Sequence, residues 1–427
     1  GPTYCGKGCT SNCNATAQCL ILVGGEFAPK GSEFCPLNVC CSQFGFCGTG
    51  HDFCSGKCQS NCVQKPAVPP GRNSGSVLNK VIGYYEGWSN ARSCYAFPPS
   101  AIPTKGLTHV NFAFAYIDPK SYKIAIMESD MPSSLFAQTT GLRALNSDAD
   151  DVEIFVSIGG WSFSDNSTAT QPVFSDIAAS EANRNTFAKN LVDFLTEYGF
   201  DGVDFDWEYP GAPDRRGKRE DTKNYVLLLR AVRQAFDSSG GRYGISFTAP
   251  SSLWYLQWFD LPGMIEYADW INLMTYDLHG AWDSMDAIGS IVQAHTNLTE
   301  IKSTLDLLWR VNIPPKKVIM GLGFYGRSFT LSHPSCATPG CPFSEAAAPG
   351  ICSKKAGILA YFEIMDILDK QKPKVIWDKA DAVKYFQFGA AKDQWVSYDD
   401  KDTFTQKVEY ANSIGLGGVL IWSVDQD

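Results

Sequence analysis

At 427 residues, 44% hydrophobic and 13% aromatic, the chain can bury a large core and carry one big domain beside a small one. A net charge of −9 and a pI near 5.2 argue against nucleic acid or anionic lipid as the main partner. No apolar run reaches the ~18 residues of a membrane span, which excludes a membrane-spanning helix from the sequence reading.

The chain begins with its cysteines: of 15, 11 fall in the first 62 residues. Such density predicts a disulfide-stapled module made in an oxidising compartment, hence a secreted, extracellular or cell-wall protein. The sequons at Asn14, Asn166 and Asn297 are compatible with secretion. The opening Gly-Pro pair is expected to be a cleavage scar of a trimmed secreted chain. Residues 1–18 contain "YCGKGCTSNC", which parallels "FCSGKCQSNC" at 53–62 and is expected to be the tail of a severed repeat. Residues 19–62 form the Cys-rich module proper. Residues 63–79, rich in Pro, Gly and Ser, are expected to be a linker.

From Lys80 the texture changes. Eight apolar runs of strand length recur, at 80–88, 109–117, 152–160, 200–208, 244–252, 269–277, 317–326 and 417–425. Amphipathic helical patterns lie between many of them, such as "SEANRNTFAKNLVDFLTEYG", with a Ser cap before it and Gly after. Continuously apolar strands alternating with helices are parallel strands buried on both faces. Eight such units predict an α/β fold, a (β/α)8 TIM barrel over 80–427. The interval after the seventh strand is too long for a crossover. It predicts a small α+β insertion over about 330–398, between strand 7 and helix 7, carrying Cys336, Cys341 and Cys352. The sequence stops just after the eighth strand, so the barrel is expected either to be cut there or to be closed by means other than an eighth helix.

Four acids crowd the fourth run, "FDGVDFDWEYP". Residues two apart share a face of a strand, so Asp204, Asp206 and Glu208 point together into the barrel, while Asp201 has the other parity and reads as structural. Glu208 lies nearest the C-terminal end, where barrel sites assemble. Closely spaced carboxylates do not all ionise in a low dielectric, so Asp204 and Asp206 are expected to share a proton and Glu208 to have a raised pKa suited to a general acid. A hydrogen-bonded structural cluster or a divalent cation would also use such acids. Three carboxylates on one face make the first costly, and one strand flanked by Phe205 and Trp207 offers the second few converging ligands. Acid catalysis on a neutral polymer fits best.

"DGVDFDWEYP" resembles the DxxDxDxE signature of the glycoside hydrolase family 18 chitinases. "NFAFA" (111–115), "SIGGW" (157–161), "MTYDLHGAW" (274–282), "YGRSFTL" (325–331) and "GGVLIWSVD" (417–425) resemble the family's other barrel motifs in order. The resemblance implies retaining hydrolysis of β-1,4-linked N-acetylglucosamine in which the substrate's acetamido carbonyl is the nucleophile. Glu208 would be the acid/base, Asp206 its orienter and Asp204 the support, with Tyr276 bonding the acetamido oxygen. It further implies that Trp422 lies under the reacting sugar and that Trp161, Tyr84, Phe114, Met274, Asp277, Trp282, Tyr325 and Arg327 line the cleft. Trp254 and Trp258 either extend that cleft or pack a helix.

"CPLNVCCSQFGFCGTGHDFCSGKCQSNC" resembles the hevein-type chitin-binding module. That resemblance implies the pairs Cys19–Cys41, Cys35–Cys47, Cys40–Cys54 and Cys58–Cys62, with Cys9–Cys13 in the severed copy, and sugar contacts from Ser42, Phe44, Phe46 and Phe53. All three aromatics are Phe where the family commonly has Trp or Tyr, so weaker stacking is expected. Together the two resemblances imply a secreted, monomeric chitinase of the fungal, killer-toxin-like subgroup, acting on chitin and chito-oligosaccharides without metal or cofactor. The rivals are a chitin lectin, an endoglycosidase on N-glycans, and a chitin-docking subunit of a killer toxin.

Overall fold

The computed structural model describes residues 18–19, 34–126, 131–145 and 151–427. The chain divides into two compact units, the first holding the Cys-rich module and the second running over Gly71–Thr304 and Pro314–Asp427.

In the larger unit the eight apolar runs become β1 (Val81–Glu86), β2 (His109–Ile117), β3 (Glu153–Gly159), β4 (Gly202–Asp206), β5 (Gly244–Ala249), β6 (Trp270–Leu273), β7 (Val318–Gly323) and β8 (Gly418–Trp422). All are parallel, each pairs with the next, and β8 closes on β1 with Val419 opposite Val81. Barrel closure leaves no edge among these eight strands, so their backbone groups find partners all round. Short antiparallel Ile124–Ile126 extends the sheet from β2. Outward residues such as Phe205 meet the surrounding helices, here Phe187 of α1 (Glu181–Tyr198) at 6.1 Å. That helix is bounded as the sequence predicts: the Ser180 hydroxyl accepts from the Asn183 amide, and Gly199 takes the left-handed conformation at φ +76°.

Three boundaries differ from expectation. The sixth run stays extended only to Leu273, and beyond it Asp277 adopts φ +55°. The insertion begins at Tyr325 rather than near 330, since the chain leaves β7 directly into strand Tyr325–Leu331. A further antiparallel set (Phe343–Ala346, Ile358–Ala360, Ile376–Asp378, Val383–Phe388, Gln394–Tyr398) and helix Tyr361–Gln371 complete it around Phe329, Phe343, Tyr385 and Trp395. The expected linker is also shorter at its far end. Val77 is fully buried with its amide on Asn412 Oδ1 (2.8 Å), and the Asn73 amide bonds Gly415 O (2.8 Å). The late cysteines pair as Cys94–Cys352, tying the loop after β1 to the insertion, and Cys336–Cys341 within it.

The small unit has little regular structure: an antiparallel pair, Cys40–Cys41 with Cys47–Gly48, and one helical turn, His51–Cys54. Disulfides Cys19–Cys41, Cys35–Cys47, Cys40–Cys54 and Cys58–Cys62 supply the core that so short a segment lacks. The expected Cys9–Cys13 bridge, Cys5 and the severed repeat lie outside the described residues.

Candidate active site

Pleating sends Asp204 and Asp206 of β4 into the barrel, and Glu208 follows two residues beyond it at the mouth; all three are buried. Asp204 is saturated. Its Oδ2 accepts from Tyr84 (2.7 Å, β1) and Ser157 (2.7 Å, β3), and its Oδ1 from Ser246 (2.8 Å, β5) and Asn272 (2.9 Å, β6). Trp270 Nε1 holds Asn272 from behind at 3.0 Å. Burial raises the Asp204 carboxyl, and these four bonds pull it back towards the charged form.

The expected proton sharing between Asp204 and Asp206 is not what the structure presents. No hydrogen bond joins them among the described residues, because Asp204 spends its oxygens on four donors. Asp206 accepts instead from Thr248 Oγ1 of β5, and its carboxyl is pushed well up, first by burial and then by the charge of Glu208, with Asp204 a lesser influence. Burial raises Glu208 to about 7 and Asp277 adds to the rise, while hydrogen bonding by Tyr209 and the charge of Arg215 oppose it. Gly159 and Gly160 make the close approach possible. The Gly160 amide donates to Asp206 O (2.9 Å), and a Cβ at Gly159 (φ +116°) would lie 2.1 Å from that oxygen. Asp201 accepts from Arg143 and the Ile154 amide, outside the row.

A second cluster stands on the rim. Asp277 Oδ1 accepts from Tyr325 Oη and from Arg327 Nε (2.7 Å), and its Oδ2 pairs with Arg327 Nη2 (2.7 Å). Partial desolvation on the rim would raise this carboxyl, but the charge and hydrogen bonds of Arg327 hold it well below the usual range. His295 Nδ1 accepts from the Asp277 amide (3.3 Å) and Nε2 faces Tyr325 O (3.2 Å). Arg327 also lies over the Trp282 ring at 4.7 Å. Tyr276, half-buried beside Tyr325, is kept in its neutral phenol form by burial and by Asp206, Asp277 and Glu208.

The aromatic residues separate by depth. Trp422, half-buried at the end of β8, stacks on Phe114 (5.5 Å) and leans on Tyr84 (5.5 Å). Tyr84 and Phe114, expected to line the cleft, are buried: Tyr84 has its hydroxyl on Asp204, and Phe114 backs Trp422. Trp161 (49%), Trp282 (38%) and Trp254 (57%) are exposed, while Met274 and Trp258 are half-buried. Trp254 Nε1 donates to Asp214 Oδ1 (3.2 Å), and Trp258 packs against Gly211. Among the residues of this mouth that the sequence did not single out are Trp88 and His295. Trp88 stacks on Phe114 (6.1 Å); its signal was an aromatic two residues past the first strand, in "YYEGW". His295 had no local signal.

In the small unit, Phe44, Phe46 and Phe53 border one shallow open surface with Ser42. Phe44 is 64% exposed, so it packs no core. Phe53 lies flat on Gly48, where a Cβ would meet its ring at 2.6 Å. Ser42 is buried, and its hydroxyl accepts from the Phe46 amide (3.1 Å).

Residues 80–427 match the family described as Glycosyl hydrolases family 18, and residues 24–62 match Chitin recognition protein. The chain is 30% identical to "Secreted chitinase LysM12" of Penicillium expansum, covering 96% of this chain and 28% of that protein. It is 31% identical to "Killer toxin subunits alpha/beta" of Kluyveromyces lactis, covering 96% and 35%. This chain thus spans about a third of these relatives' length. Among solved structures, the Group IV chitinase of Ostrinia furnacalis in complex with allosamidin superimposes with a TM-score of 0.72 at 30% identity, over 82% of this chain and 92% of that one. Human YKL-39, described as a pseudo-chitinase with retained chitooligosaccharide binding, gives 0.70 at 25% identity over 82% and 93%.

Proposed function

The chain belongs to glycosyl hydrolases family 18, and on that premise we propose that it hydrolyses β-1,4-linked N-acetylglucosamine in chitin and its oligomers, with retention at the anomeric carbon. The observation that carries the reading is Glu208, a buried carboxyl at the barrel mouth whose pKa of about 7 suits it to give and take a proton near neutrality. Glu208 protonates the glycosidic oxygen as the acetamido carbonyl oxygen of the same sugar attacks its anomeric carbon. The C–O bond breaks and an oxazolinium ion forms. Glu208 then takes a proton from the water that opens the ring, returning the enzyme to its starting state. Asp206, sharing charge with Glu208, turns from Thr248 to the acetamido N–H and balances the positive ring. Asp204, fixed by four donors, keeps Asp206 in line from below. The neutral Tyr276 hydroxyl donates to the acetamido oxygen, and Trp422 offers a floor to the sugar.

The Cys-rich module, over about 19–62, holds the polymer through Phe44, Phe46, Phe53 and Ser42. Tethering it to the barrel raises the effective concentration of the catalytic site on an insoluble substrate. The disulfides and the name of the Penicillium relative support a secreted enzyme. A second reading, docking on chitin with little turnover, is favoured by the similarity to the killer toxin subunits. The intact acid row weighs against it. Glu208→Gln tests both: hydrolysis of chitin hexamer falls at least about a thousandfold while oligomer binding persists. Binding without turnover in the parent protein supports docking, and turnover surviving the substitution overturns the role of Glu208.

A further inference from the structure

Arg215 has no part in the reaction above, yet its guanidinium bonds the backbone of the acid itself. It ends the short turn Pro213–Arg215 that follows β4, and it is buried (5% exposed). Its guanidinium is spent in three directions. Nε donates to the peptide oxygen of Glu208 (3.0 Å), Nη1 to Asp165 Oδ1 (2.9 Å) and Nη2 to the peptide oxygen of Trp161 (2.6 Å). Its flat face covers the Trp161 ring at 3.8 Å, while about half of that tryptophan remains exposed. The neighbouring Asp214 takes the other flank, accepting from Tyr255 Oη (2.7 Å) and Trp254 Nε1 (3.2 Å). The Tyr255 ring lies on Tyr209 at 4.2 Å. The turn therefore grips the Glu208–Tyr209 segment from both sides.

We propose that Arg215 is a positioning residue for Glu208, clamping the acid's peptide carbonyl to the exposed Trp161 platform. The inference rests on Glu208 being the acid/base. A sugar stacked on Trp161 presses on the ring whose far side carries Arg215, so occupancy of that platform and placement of the acid are mechanically joined. The ionisable groups around Glu208 are Asp206, Tyr209, Tyr255, Tyr276, Asp277 and Arg215, and Arg215 is the one cation among them. Its charge favours the carboxylate. Asp165, half-exposed, is the counter-ion that tempers it.

Two substitutions then move the acid in opposite directions. Arg215→Met removes the cation, so Glu208 holds its proton to higher pH and the basic limb of kcat/KM moves up by about 0.5–1 unit. Asp165→Asn frees the cation, so the limb moves down by about 0.3 unit. Arg215→Lys keeps the charge but loses the three-way fork, so the limb stays in place while kcat falls about tenfold. The same shifts are read without substrate by following the Glu208 side-chain carboxyl by 13C NMR during a pH titration, assigned against Glu208→Gln. Folded Arg215→Met with an unmoved titration overturns the proposal. Should that variant not fold, Asp165→Asn carries the test, and an unmoved or upward shift overturns it. A failure of the general-acid reading is distinct, because it appears as turnover in Glu208→Gln whatever Arg215 does.

Discussion

The two candidate sites are built by opposite means. In the barrel, three acids are buried, and the two on β4 are matched by donors that the neighbouring strands supply: Tyr84, Ser157, Ser246 and Asn272 on Asp204, Thr248 on Asp206. In the small module, three phenyl rings border an open surface on a frame fixed by four disulfides, with no buried charge at the site. Moving protons requires shifted pKa values, and those require low dielectric and therefore a large core. Holding a sugar face requires only that rings be rigid and wet, which covalent staples provide in about forty residues.

The largest break in this comparison is reduction. Each native disulfide of a small domain is worth about 2–5 kcal/mol, so full reduction unfolds the module, and retention on insoluble chitin is lost. The barrel draws its stability from strand pairing and buried apolar surface, so hydrolysis of soluble oligomers continues after Cys94–Cys352 and Cys336–Cys341 open. Parallel assays of pull-down and hexamer cleavage in dithiothreitol check this. Equal loss of both activities would erase the contrast.

A smaller effect sharpens the barrel side. Glu208 titrates near 7 in the fold against 4.5 for an ordinary glutamate. A carboxyl raised on folding contributes stability that is fully present below the unfolded pKa and lost as pH rises through the folded one. Glu208→Gln removes that loss, so the variant is more stable than the parent by about 3 kcal/mol at pH 8 and equal to it near pH 4. Urea titrations at the two pH values measure the difference. A variant less stable than the parent at pH 8 would mean that Glu208 is not held against its charge.

These contrasts also explain what the sequence disclosed. Parity along "DGVDFDWE" put Asp204, Asp206 and Glu208 on one line because a strand has a period of two, and that inference needs no partner. The partners were silent. Ser157, Ser246 and Asn272 are single polar residues inside apolar runs; only the barrel's register brings Ser157 and Ser246 level with Asp204, with Asn272 two residues further along its strand and still within reach. The depth of Tyr84 and Phe114 was silent for a related reason: motif position gives the strand and its end, whereas depth depends on what closes over it. His295 meets Asp277 across 18 residues through a bend that local pattern does not encode. Arg215 was hidden differently, inside "DRRGKR", where a run of charges reads as a solvated turn.

The smallest expected effect lies on the module. Phe44 is 64% exposed, and it borders the open surface without supporting a core, so its size is free to change. Phe44→Trp enlarges the stacking face and adds an N–H donor at the ring's edge, while the disulfide frame beneath stays fixed. Tighter retention on chitin by about 0.5–1 kcal/mol, some two- to fivefold in Kd, follows from the added area if that face meets the sugar. Isotherms on insoluble chitin with a Glu208→Gln background, which stops turnover, isolate the term. The rate on soluble oligomers in the parent background stays unchanged, because the ring enlarges a docking face and leaves the acid row alone. An unchanged isotherm would mean that sugar approaches the module from another side, leaving Phe46 and Phe53 to be tested in its place.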